Sequence, residues 1–373
     1  MQPPSGHAST PATAYINAIG TAVPPHNVHD AFHGMIDHML DDRRKRAVYQ
    51  RMAQRSGIER RYSFIEPNGA REGSSYEASQ LYKPHHFAGT QRRMELYELW
   101  APELALKAIE RLDADIAGQG ITHVIVASCT GFVAPGLDQI LIQRTGIAAS
   151  AERTLVGFMG CYAAVSALRL AHHIVRSTPE ARVLVVNVEL CTLHLQETSE
   201  VDELLAMLLF SDGASAALVT AEPRGIALTD FRAAAIPGSS DLITWRIGDH
   251  GFAMHLDGQV PNRIAEALAS ERTRNDDGGI LRGQASADYD LWAVHAGGRS
   301  ILDAVERGLE LPPEALAPSR GVLRENGNMS SATLMFVLQR MMAQPREPDR
   351  PRLGLAMAFG PGLAAETFRF SLL

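Results

Sequence analysis

The sequence predicts an α/β fold built from two similar layered halves, and three observations predict it. Apolar, strand-like runs alternate with amphipathic helical stretches along most of the chain, the pattern of helices covering a sheet. Each half carries a buried strand that brings a reactive side chain to its end and then turns into a helix. With 373 residues and 46% hydrophobic content, the chain can also bury a large core, because the buried fraction rises with length.

In the first half, an amphipathic helix over Glu103–Leu112 leads to an apolar strand over Thr122–Ser128. A helix over Leu137–Arg144, a strand over Arg153–Phe158, a helix over Cys161–Arg176 and a strand over Arg182–Glu189 follow. Their period separates them: three- and four-residue apolar spacing for the helices, short apolar runs bounded by turn residues for the strands. A further helix ends at Phe210, and Ser211-Asp212-Gly213 turns the chain into a strand over Ala214–Thr220. The second half reads as a strand over Gly225–Ala233, a helix over Pro261–Ser270, a strand over Leu291–His295, and helices over Arg299–Leu309 and Ser330–Met342. Two closing strands, Leu353–Phe359 and Ala365–Phe370, flank the turn Gly360-Pro361-Gly362. The boundary falls near Glu222–Gly225, so that 14–222 and 223–373 form the two halves of one body. Residues 1–13 read as a disordered lead-in, and Thr273–Ser286, rich in Asp, Gly and Asn, as a surface loop.

A formal charge of −7 argues against nucleic acid as the main partner, because phosphate binding needs a net basic face. No run approaches the roughly 18 apolar residues of a membrane span. The lead-in has neither the basic nor the apolar region of a signal peptide. The three cysteines, Cys129, Cys161 and Cys191, make no disulfide framework, which fits a reducing cytoplasm. The 14 histidines show no metal-ligand spacing, so no metal is expected.

Cys161 is the candidate nucleophile. A cysteine in the first turn of a helix faces unpaired backbone N–H groups and the positive end of the macrodipole, and both favour thiolate. Taken alone it would more often be a small buried hydrophobe. Two later segments add weight. Leu291-Trp292-Ala293-Val294-His295 reads as a buried strand delivering His295 to its end, followed by Gly297-Gly298, and Asn328 follows Gly327 just before a helix. Sulfur, imidazole and carboxamide, far apart in sequence, can meet only through tertiary folding.

At these residues the sequence resembles the type III polyketide synthases, the chalcone synthase-like enzymes of the thiolase fold. The resemblance runs from about Tyr15 to Phe370. It rests on Gly160-Cys161, Phe210-Ser211-Asp212-Gly213, Val294-His295-Ala296-Gly297-Gly298, Gly327-Asn328-Met329-Ser330-Ser331 and Phe359-Gly360-Pro361-Gly362-Leu363. It implies a five-layered αβαβα body, a homodimer, and a Cys161/His295/Asn328 site at the base of a coenzyme A tunnel. Acyl-CoA and malonyl-CoA are the implied substrates, with no cofactor. The ketoacyl carrier-protein synthases share the triad but usually carry threonine where Met329 stands, which favours the polyketide branch. The readings weighed against it are a single-condensation synthase of that kind and a non-catalytic acyl-CoA-binding or thiol-sensing protein.

The resemblance also implies substrate-binding positions. Phe210 falls at the tunnel junction; without the resemblance it reads as core packing. Cys129, Cys191, His194, Trp245, Met254 and Ser330 fall around the acyl cavity, and each is equally suited to core filling. Trp245 stands where the plant enzymes have glycine, and Met254 replaces an aromatic gatekeeper. Arg43–Arg61 holds eight basic residues against one acidic residue, Glu59. In that run Arg51 and Arg55 match cations at the tunnel mouth, and Val48 stands at a third position that is often lysine. Guanidinium groups suit coenzyme A phosphates, although such a run is more often a solvated helix face. Ser300 is a further substrate-binding candidate, and Ala134 matches a position that reaches into the partner's cavity. The favoured chemistry is a fatty acyl starter, two or three malonyl extensions, and pyrone or resorcinol release.

Overall fold

Nine strands hydrogen-bond into one mixed sheet, and their order reveals the duplication. The computed structural model describes residues 12–68, 75–112, 115–345 and 350–373. The first half opens with β1 (Ala14–Ala22), β2 (His26–Asn27), α1 (His29–Met39), α2 (Arg43–Arg55) and β3 (Tyr62–Ser63). It continues with β4 (Tyr82–Lys83), β5 (His86–Phe87), α3 (Thr90–Glu110), β6 (His123–Ser128), α4 (Leu137–Thr145) and β7 (Glu152–Gly157). It ends with α5 (Ala163–Ser177), β8 (Val183–Leu190), α6 (Val201–Leu209) and β9 (Asp212–Thr220). The second half comprises β10 (Ile226–Ala235), the hairpin β11 (Ile243–Gly248) and β12 (Gly251–Leu256), α7 (Val260–Arg272) and β13 (Leu291–Val294). Then come α8 (Arg299–Leu309), α9 (Ala317–Asn326), α10 (Ala332–Met342), β14 (Arg352–Gly360) and β15 (Ala364–Leu372).

Outward from β1, the partners are β9 antiparallel, β8 antiparallel, β6 parallel and β7 parallel. Outward from β10, they are β15 antiparallel, β14 antiparallel and β13 parallel. The two halves therefore repeat one topology, with α5 and α10 as equivalent helices that each precede an equivalent strand. They are stitched together where Ala14–Ile16 pairs with Ile226–Leu228.

Alternation of side chains across the strands builds three cores. Val124, Val126, Leu184 and Val186 face α3 and α4. Ile125, Val183, Val185, Ala293 and Ala356 face the other way, onto α5 and α10. Trp292, Val294, Leu355 and Met357 face α7 and α8. Helices, the first half of the sheet, α5 and α10, the second half of the sheet and helices follow one another, which is the five-layered αβαβα arrangement. Eight of the eleven residues of α10 are buried, as a helix covered on both sides requires. This central layer brings the amino-terminal ends of α5 and α10, and with them Cys161 and Asn328, to one place.

Several boundaries differ from expectation. Helix α3 begins at Thr90 rather than Glu103 and runs through Pro102; the missing N–H of proline reads as a helix start when only sequence is seen. Cys161 lies in a 3-10 turn over Gly160–Tyr162, and α5 starts after it at Ala163. Helix α10 likewise starts at Ala332 rather than Ser330. The loop Thr273–Ser286 is anchored, because Ile280, Leu281 and Arg282 are buried and Arg282 donates to Asp230 and Thr367. The expected lead-in over 1–13 lies outside the described residues except for its last two positions. Among the described residues, no helix is long and apolar enough to cross a membrane, and no group of three or more His, Cys, Asp or Glu could hold a metal ion.

Candidate active site

Two left-handed residues, Phe158 at φ 58° and Gly160 at φ 76°, turn the chain sharply after β7 and carry Cys161 inward. A Cβ on Gly160 would meet Pro361 Cδ at 2.4 Å, so only glycine lets the Gly360–Leu363 turn approach. His295 follows β13, where its N–H donates to the Met357 carbonyl at 2.8 Å. Asn328 is held from both sides: its N–H donates to the Leu209 carbonyl (2.8 Å), and its carbonyl accepts from Ser211 N–H (2.9 Å). Its side chain donates to the Gly297 carbonyl at 3.1 Å and accepts from Ser330 N–H at 2.9 Å. One amide N–H therefore remains for the site.

Cys161, His295 and Asn328 line one cavity of about 150 Å³. The side chains of Ser330 and Asn328 act on the Cys161 sulfur, both favouring its thiolate form. Phe210, Cys129, Cys191, His194, Trp245, Met254 and Ser330 line the same cavity. Arg51, Arg55, Ser300 and Ala134 do not; all four are exposed.

Desolvation pushes the Cys161 thiol up to about 12, against the Ser330 and Asn328 side chains that favour thiolate, and lowers the His295 imidazole to about 4. A dry site disfavours both charged forms. Neither ring nitrogen of His295 has a hydrogen-bond partner among the described residues.

Around the triad the polar groups form a chain. Buried Glu189 accepts from Cys129 N–H at 3.0 Å and Thr130 Oγ1 at 2.9 Å, and Cys129 Sγ lies 3.1 Å from Ser330 Oγ. Burial, then Glu189, raises the Cys129 thiol well above its ordinary range. Trp245 and Met254 are cross-strand partners on the β11–β12 hairpin and form one wall; the indole N–H donates to the Cys129 carbonyl at 2.8 Å. The cross-strand register sets both side chains on one surface.

His194 has both nitrogens committed: Nε2–H donates to the Thr130 carbonyl (2.7 Å) and Nδ1 accepts from Phe252 N–H (3.0 Å). Burial lowers it to about 3, so it is a neutral wall rather than a base. Between pH 6.5 and about 3 the unfolded chain binds a proton here that the folded chain does not. This contribution is complete above 6.5 and is lost as pH falls, at a slope of about 1.4 kcal/mol per pH unit. His194→Gln should therefore show a shallower fall in Tm than wild type from pH 6.5 to 4, measured by calorimetry; equal slopes would contradict the buried neutral imidazole.

The cavity also holds residues the sequence did not single out. Thr130, Thr192, Ile243 and Leu256 line it, with no signal beyond proximity to named positions. Arg61 lines it too and is only 2% exposed, although sequence placed it in a basic surface run. Only the fold separates it from its exposed neighbours.

Comparison with known proteins agrees with this geometry. The family models for the N-terminal and C-terminal domains of chalcone and stilbene synthases match residues 5–223 and 228–372. The alpha-pyrone synthesis polyketide synthase-like Pks18 of Mycobacterium tuberculosis is 29% identical, over 96% of this chain and 91% of that protein. Bisdemethoxycurcumin synthase of Oryza sativa subsp. japonica is 32% identical, over 95% of this chain and 91% of its own length. The crystal structure of PKS-I from the brown alga Ectocarpus siliculosus superposes with a TM-score of 0.84 at 28% identity, covering 98% of this chain and all of that one. The chain belongs to the chalcone and stilbene synthase family and is a type III polyketide synthase, an acyl-transferring condensing enzyme of thiolase-like fold from a family that uses coenzyme A thioesters and needs no other cofactor.

Proposed function

We propose that Cys161 takes an acyl group from a coenzyme A ester and that the same cavity extends it with malonyl units. The observation that carries this reading is the convergence of Cys161, His295 and Asn328 on one cavity. His295 accepts the thiol proton as sulfur attacks the thioester, and returns it to the departing coenzyme A thiolate. Malonyl-CoA then loses CO2, and the enolate left behind is stabilised by donors from His295 and Asn328. Its carbon attacks the acyl carbonyl; a C–C bond forms, the C–S bond breaks, and the thiolate is regenerated. Phe210 keeps the malonyl carboxylate dry at the junction.

Arg51 and Arg55, exposed on α2, together with Ser300 at the start of α8, would meet the coenzyme A moiety at the mouth. Residues 14–222 supply the nucleophile, and 223–373 supply the imidazole and carboxamide. A cytoplasmic homodimer completes the proposal: Ala134 reaches the partner's cavity from a loop beside edge strand β7, where Phe132 and Leu155 are 48% and 53% exposed. An apolar edge of this kind calls for cover. The proposed products are alkylpyrones or alkylresorcinols from a fatty acyl starter; the name of the mycobacterial relative supports the pyrone.

The test is incubation with malonyl-CoA and acyl-CoAs of several lengths, with products read by mass spectrometry. Multiply extended, cyclised products are expected; a single carrier-protein-dependent condensation would overturn the proposal. Trp245→Gly removes an indole from the cavity wall and its bond to the Cys129 carbonyl, so the product profile should shift towards longer chains. An unchanged profile would mean that Trp245 does not limit chain length.

A further inference from the structure

Arg61 is among the largest fully buried side chains of the protein. It makes no ion pair among the described residues. Burial lowers its guanidinium to about 10, so it stays charged at neutral pH. A buried cation with no direct ion pair, favoured only through space by Tyr49 and Asp212, is costly unless its donors are used.

Two of its three nitrogens are used, Nη1 on the backbone that holds the active site and Nε on His29, while Nη2 has no hydrogen-bond partner among the described residues. Arg61 Nη1 donates to the carbonyls of Met207 and Phe210 at 3.3 and 3.1 Å, at the end of α6 where a cation suits the exposed carbonyls. The guanidinium lies 4.2 Å over the ring of Phe32. A Cβ on Gly327, which has φ 69°, would come within 2.9 Å of Arg61 Cγ and 3.1 Å of the Leu209 carbonyl. The glycine thus lets the Asn328 loop lie against both. Phe210 and Asn328 form a parallel bridge, so Arg61 is hydrogen-bonded to one side of that pairing and packed close to Gly327 on the other.

A second network holds Arg61 from behind. Its Nε–H donates to His29 Nδ1 at 3.3 Å. Arginine can only donate, so His29 carries its proton on Nε2 and gives it to His33 Nε2 at 3.3 Å. His33 in turn is protonated on Nδ1 and donates to Tyr49 Oη at 3.2 Å. Burial, then Arg61 and His33, lowers His29 to about 4, so the acceptor is present at working pH.

We infer that Arg61 is a positioning residue for malonyl decarboxylation: it fixes the Leu209–Ser211 and Gly327–Asn328 segments together, and the chain His29–His33–Tyr49 fixes Arg61. This rests on the extension chemistry proposed above. The reaction needs Asn328 and Phe210 in register with the malonyl group, and a displacement of about an ångström can cost about 100-fold.

Two steps separate the cases: acyl transfer to Cys161, read by intact-protein mass, and acetyl-CoA release from malonyl-CoA alone. Arg61→Met should slow acetyl-CoA release about 100-fold and acyl transfer by less than about 3-fold. His29→Leu, which leaves the Arg61 Nε–H unpaired, should give the same split with a smaller fall of about 10-fold, and His29→Asn, whose amide oxygen can stand in for Nδ1, should restore most of it. If Arg61→Met does not fold, the His29 pair carries the test. Both steps falling together, neither falling, or no rescue by His29→Asn overturns the role of Arg61. Wild-type enzyme that releases no acetyl-CoA overturns the extension chemistry itself, which distinguishes the two failures.

Discussion

Cys161→Ala is expected to abolish polyketide formation and to remove the acyl adduct seen after incubation with an acyl-CoA. In the proposed mechanism the sulfur is both the nucleophile and the leaving group of every cycle. Cys129 Sγ is already held by Glu189 and Ser330, so it does not replace Cys161. Some decarboxylation of malonyl-CoA should survive, because His295 and Asn328 still line the cavity and enolate stabilisation does not require the sulfur. Intact-protein mass spectrometry together with acetyl-CoA release checks both halves of this expectation. An acyl adduct on the alanine variant, or continued condensation, would remove Cys161 from the centre of the reaction.

Asn328→Ala should produce the complementary defect. Loss of a carbonyl-oxygen donor typically costs about 3 to 4 kcal/mol, or about 100- to 1000-fold in rate, and this loss falls on the step that generates the enolate. Starter loading should decline much less, because thiol attack depends on His295. The Asn328 side chain also accepts from Ser330 N–H and donates to the Gly297 carbonyl, so Asn328→Asp is a useful second variant. It keeps an acceptor for Ser330 but sets a negative charge beside a developing one, and acetyl-CoA release should fall at least as far as in the alanine variant. Equal losses in loading and decarboxylation in both variants would assign Asn328 to loop structure instead.

The halves of the fold were legible as alternating periods, and most of the elements read from the sequence fall within a few residues of their expected places. Elements β1, α1, the β11–β12 hairpin and α9 were not read at all, and elsewhere the misses were local. Pro102 sits inside α3 rather than before it, because the tertiary packing of a long buried helix outweighs one missing N–H. The duplication was inferred from two reactive strand ends, but its form is a pairing order of strands, which no short-range pattern encodes. The triad was readable because each member sits at a glycine-marked junction between elements. Its ionisation was not: a helix start argues for thiolate, whereas burial, which sequence does not measure, lifts the thiol to about 12.

By itself the sequence determined the αβ layering, the family, and the sulfur, imidazole and carboxamide on which the proposed chemistry depends, since these follow from residue type and local period. Only the tertiary structure decided that the ends of α5 and α10 meet, that Trp245 and Met254 make one wall, and that Arg61 leaves the basic surface to pack close to Gly327, beside Asn328. Burial and through-space contact are properties of segments far apart in the chain, and they exist only once the sheet has set which segments face each other.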